Sequence, residues 1–88
     1  MGINNNDLIH EINVAAYYIA EGKNPYDTLC HEWARISLTH QNLGMTPPED
    51  QIKERTAQML FSGTPYDVLT YLIAELEIKT KYGMYETE

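Results

Sequence analysis

The chain writes the pentapeptide Pro-Tyr-Asp-x-Leu twice, as Pro25-Tyr26-Asp27-Thr28-Leu29 and, 40 residues later, as Pro65-Tyr66-Asp67-Val68-Leu69. A proline in the first turn of a helix costs little, because the N–H it lacks has no intrahelical partner there. An acid close behind it meets the positive end of the helix dipole. Each copy follows a glycine and a polar residue, Gly22-Lys23-Asn24 in the first and Gly63-Thr64 in the second. The repeat therefore predicts the same turn between two helices in each half of the chain.

The other glycines and prolines extend this punctuation. Glycine is favoured just past a helix C-terminus, where the left-handed conformation carries no Cβ clash. Asn24-Pro25, Thr46-Pro47 and Thr64-Pro65 pattern as a cap followed by a first helical residue, with Asp27, Glu49 and Asp67 at the third position. Asn4 with Asp7 has the same arrangement. These signals predict an all-α four-helix bundle of two related antiparallel helical hairpins, with helices over about 5–21, 25–42, 47–62 and 65–82. Leu43-Gly44-Met45 and Tyr82-Gly83-Met84 mark matching helix ends, and Ala34/Ala74, Ile36/Leu76 and Leu38/Ile78 match inside the helices. The chain is thus expected to be one domain over 1–88 with an internal duplication of 5–45 and 47–84. Two copies are too few for a solenoid, which needs three or more to bury a continuous face.

At 3.6 residues per turn, Leu8, Ile12, Ala15 and Ile19 form one stripe of the first helix. Leu29, Trp33, Ile36 and Leu43 form the core stripe of the second, Ile52, Met59 and Leu60 that of the third, and Leu69, Leu72, Ile73 and Leu76 that of the fourth. A second apolar set, Ala34, Leu38, Tyr71, Ala74, Ile78 and Tyr82, points away from those stripes. Two accounts fit it: helices two and four are central and touch neighbours on two sides, or the set is an interface for a protein partner or a second copy of the chain, forming a homodimer.

Composition narrows the function classes. Thirteen Asp and Glu against six Lys and Arg give a net charge of −7, which repels nucleic-acid phosphates and argues against direct nucleic acid binding. The one cysteine, Cys30, cannot build a disulfide framework, and no basic segment or long apolar run suggests a signal peptide or membrane span. A cytoplasmic setting is the expectation.

Chemistry-bearing motifs are sparse. His10-Glu11 and His31-Glu32 are adjacent on helices, so their side chains diverge by about 100° and do not share a metal ion. Cys30 has no positioned base in its helix, each glycine stands alone as a helix stop rather than in a phosphate loop, and no nucleophile elbow occurs. Neither an enzyme nor a cofactor or metal site is expected. The repeated turns leave one candidate ligand site, Tyr26 and Asp27 with Tyr66 and Asp67, beside the structural alternative that these residues shape and cap the turns. The favoured expectation is a small acidic helical interaction protein, an inhibitor or adaptor of the kind phage and mobile elements encode, with nucleic acid mimicry as one form of it. The second is a small-ligand or nucleotide sensor that uses the Tyr-Asp turns in an oligomer.

Overall fold

A computed structural model describes residues 5–84, placing the Asn4 cap outside the described residues. Among them are four helices and no strand: α1 (Asn5–Glu21), α2 (Tyr26–Gln41), α3 (Glu49–Ser62) and α4 (Tyr66–Lys81). The protein is an all-α four-helix bundle.

The last three helices start one or two residues later than the punctuation predicts. Pro25, Pro48 and Pro65 occupy the N-cap position, with ψ of 153°, 147° and 150°, and no side chain caps any of the three helices. The proline carbonyls accept the first helical bonds, from Leu29 at 3.1 Å, Ile52 at 3.2 Å and Leu69 at 2.9 Å. A residue with extended ψ whose carbonyl opens the helical ladder is an N-cap by geometry. Asn24 and Thr64 are thereby displaced outside the helix, where their carbonyls take another role.

The two halves interlock. Close packing joins α1 to α4, α3 to α2, and α2 to α4, whereas helices joined by the Gly22 and Gly63 turns diverge from each other. Each half's first helix thus lies against the other half's second. The central pair, α2 and α4, runs parallel: Tyr26 and Tyr66 reach the opposite turn at one end, and His40 meets Thr80 at the other. Positions 26, 29, 33, 36 and 40 recur as 66, 69, 73, 76 and 80, the alternating three-four spacing that keeps a stripe facing a parallel partner.

Burial follows this repeat position by position. Leu29 and Leu69 are almost fully buried with Cys30, Met59 and Ile73, against which Ile19, Trp33 and Leu72 pack. Ala34 and Ala74 are each 0% exposed. Ala34 and Leu38 pack on Ile52 of α3, and Ala74 and Ile78 on Leu8 and Ile12 of α1. The second apolar face expected at Ala34, Leu38, Ala74 and Ile78 is consequently not an outer surface. It is the seam between each central helix and its flanking helix. Tyr71 packs on the α1–α4 cluster, and the Tyr82 hydroxyl donates to Glu11 of α1. Leu43 and Leu60, expected in the core, are 57% and 41% exposed.

Helix ends also repeat at 40 residues, with a change of residue type. Gly63 and Gly83 have φ of +69° and +68°, and their counterparts are Lys23 and Leu43, at +53° and +55°. The expected stops at Gly22 and Gly44 are displaced by one position, since the second half's glycines align with a lysine and a leucine. The bonding around the second stop is the same in both halves: Gly44 N–H to Thr39 O and Met84 N–H to Lys79 O, each 2.8 Å, close a Schellman motif. A left-handed conformation costs a residue with a Cβ about 1–2 kcal/mol, against about 0.5–1 kcal/mol of extra chain entropy for glycine. Leu43 is mostly exposed and loses little burial on truncation. Leu43→Gly is accordingly expected to raise the melting temperature by a few degrees, given about 4–8 °C per kcal/mol for a domain of this size, and Gly83→Leu to lower it, as read by thermal circular dichroism.

Candidate functional site

The duplicated motif forms a cross-tie rather than a pocket. The Tyr26 hydroxyl donates to the Thr64 carbonyl at 2.7 Å, and the Tyr66 hydroxyl donates to the Asn24 carbonyl at 2.8 Å. Each tyrosine thus holds the turn that launches the other. The ring stems of both lean on the Leu29–Leu69 cluster. Asp27 and Asp67 are exposed at the helix starts, where Asp27 Oδ1 accepts from the Thr28 N–H at 2.9 Å. Burial, and after it Cys30 alongside, push the Tyr26 hydroxyl above its ordinary pKa. The expected Tyr-Asp ligand site therefore has its two hydroxyls engaged by backbone carbonyls and its two carboxylates on the outside.

Nucleophiles and metal ligands are similarly dispersed. Cys30 is 0% exposed, and burial pushes its thiol up, away from the reactive thiolate. His31 is exposed and His40 is 2% exposed, its Nδ1 lying 3.4 Å from Thr80 Oγ1. Thr80 is the residue one repeat away from His40, so this contact lies on the seam between the two parallel helices. Among the described residues no three His, Cys, Asp or Glu side chains converge on one point, and no helix is long and apolar enough to cross a membrane.

Where α1 and α2 diverge from their turn, they leave a cleft of about 250 Å³ over α4. Leu29 and Ile73 form its apolar floor, Tyr18 stands on the α1 side, and Glu32 and Glu77 face it from α2 and α4. Tyr18 is 68% exposed and meets Tyr17 edge-on at 5.7 Å. Glu32 pairs with Arg35 at 2.9 Å. Glu77 is open to solvent at its tip, yet desolvation by its surroundings and then the nearby Glu32 push its carboxyl up, against the opposing pull of Arg35. Two carboxylates over an apolar floor with a tyrosine at the wall suit the head and stem of a lysine or arginine side chain. Sequence inspection missed this cleft because Glu32 and Glu77 lie in different halves and not at repeat-related positions. The one available signal was the parallel α2–α4 register.

The tyrosine bonds and the Glu77 shift are both testable. Tyr26→Phe is expected to lower the melting temperature more than Tyr66→Phe, because the first bond is part-buried and the second exposed. A carboxyl whose folded pKa is raised opposes folding once ionised, so its ionisation cost is absent at low pH and appears as pH climbs through the raised value. Glu77→Gln should therefore stabilise the fold at pH 7, with the gain fading on acidification through the carboxylate range. Comparison of the chain with family models, with curated proteins and with solved structures returned no significant match, so the functional argument rests on the geometry of this site.

Proposed function

We propose that the protein is a non-catalytic regulator that captures a basic segment of another protein in the α1–α2 cleft. The observation that carries this reading is the placing of Glu32 and Glu77 on one cleft over an apolar floor, where desolvation and then Glu32 push the Glu77 carboxyl up. A further cation entering beside them, in addition to Arg35, favours the charged carboxylate that the surroundings disfavour. The net charge of −7 steers basic partners toward the surface from a distance. Tyr18 supplies the exposed amphipathic ring that protein interfaces favour.

This places the working surface between the helices, not on the Ala34–Leu38 and Ala74–Ile78 faces, which are covered by α3 and α1. It also gives the acidic character a local focus, whereas mimicry of a nucleic acid duplex needs carboxylates spread at phosphate-like spacing. The Tyr-Asp turns support a scaffold role, since both tyrosine hydroxyls are engaged.

Affinity capture from the native host, followed by elution across a salt gradient, tests the reading. A partner held by these carboxylates should elute at modest salt, because exposed charge pairs are screened within about 10 Å at 0.1 M. The Glu32→Gln, Glu77→Gln double variant should lose about tenfold or more in affinity for that partner, equivalent to about 1.4 kcal/mol, while melting no lower than the parent. Unchanged capture by the double variant refutes the cleft as the binding site, and displacement of the partner by duplex DNA would restore the mimicry account.

A further inference from the structure

A second cleft, where α3 and α4 open over α2, overlaps the repeat-related place at Trp33, Ser37 and Leu72 and extends toward His40 and Gln41, and its chemistry is different. It holds about 210 Å³ and is lined by Trp33, Leu72 and Leu76, with Ser37, Arg55 and Glu75 among its polar groups. At the positions where the first cleft has Glu32, Ile73 and Glu77, this one has Leu72, Trp33 and Ser37. Both carboxylates are gone and an indole has arrived. Arg55 stands where the first half has Ala15, so the second cleft also gains a cation.

Among the described residues, Arg35 pairs with Glu32, Lys79 with Glu75 and Lys81 with Glu11, whereas Arg55, like the exposed Lys23 and Lys53, forms no ion pair. Its one hydrogen bond in the structure runs from a guanidinium nitrogen to Ser37 Oγ at 3.2 Å. A guanidinium carries five N–H donors in a planar fork matched to a carboxylate, so most of its capacity is unused. Arg55 is also half-buried, which strengthens its attraction for an anion relative to a surface cation. Glu75, the acid on the cleft, is held by Lys79 at 3.8 Å.

We propose that this cleft binds a small planar aromatic carboxylate, its ring against Trp33, Leu72 and Leu76 and its carboxylate on Arg55. The volume sets the size of the ligand: it falls below the roughly 300–1,000 Å³ of sites for drug-sized molecules, so it accommodates a single ring and not a nucleotide. The Glu75 carboxylate on the rim favours a monoanion over a phosphate dianion. The site is separate from the acidic cleft, and its success or failure is independent of partner capture there.

Trp33 is the only tryptophan, so its indole N–H gives a single resonance that reports on this cleft directly. Benzoate and salicylate should each shift that resonance saturably, with benzamide binding at least about tenfold more weakly and acetate giving no saturable shift. Arg55→Gln should weaken benzoate about tenfold or more, and Arg55→Lys should recover part of the loss, because it keeps the charge without the fork. Leu72→Glu installs the acid that the first cleft carries at the related position and should abolish binding even if Arg55→Gln proves unstable. Equal affinity for benzoate and benzamide, an equal response to acetate, or unchanged affinity in a folded Arg55→Gln or Leu72→Glu variant each overturns the proposal.

Discussion

The parallel contact between α2 and α4 is the constraint from which the other features follow. The crossed tyrosine bonds close one end, Leu29 and Leu69 pack one turn in from it, and His40 with Thr80 closes the other end. Because both helices run the same way and are offset by one repeat, Leu29 shares a cluster with Leu69, Trp33 with Ile73, and His40 meets Thr80. Self-complementary contacts of this kind are those of a two-fold dimer, in which a patch that binds i to j also binds j to i. Here the two protomers are the halves of one chain, and the flanking helices cross over so that each half completes the other.

This crossing explains why a thin core suffices. Hairpins packed only within themselves would each bury one face and leave the second exposed. By laying α1 on α4 and α3 on α2, the fold covers both faces of the two central helices, with Ala34 and Ala74 allowing close approach. The divergence of each hairpin from its own turn then leaves two open angles, and these are the clefts. Their chemistry follows from the positions at which the two halves differ in sequence. One has become acidic through Glu32 and Glu77, the other aromatic and cationic through Trp33 and Arg55.

Divergence is visible in the backbone as well. The second half places glycine at both left-handed positions, Gly63 and Gly83, and the first half places Lys23 and Leu43 there. A matching geometry with a costlier residue shows that the turn conformation is imposed by the packing of the halves and not by local preference alone. The clip on the outer side, where Lys81 and Tyr82 reach Glu11, has no equivalent among the described bonds of the α2–α3 pair. The Tyr82 hydroxyl and then Lys81 hold the Glu11 carboxyl below its ordinary range, and the same contact raises the Tyr82 hydroxyl.

By itself the sequence determined the helices and their number, because caps, stops and a 3.6-residue apolar period are local signals that act through adjacent backbone groups. It also determined the core stripes that carry Leu29, Ile52, Leu69 and Ile73. Only the tertiary structure decided which helix lies against which, and that choice turned the apparent outer face at Ala34, Leu38, Ala74 and Ile78 into an inner seam. The same choice engaged Tyr26 and Tyr66 with distant carbonyls and brought Glu32 beside Glu77 and Arg55 beside Trp33. Those pairings join residues on different helices, so no periodicity within a helix encodes them. They arise from the register of two parallel helices, where burial of Leu29 against Leu69 sets which side chains meet.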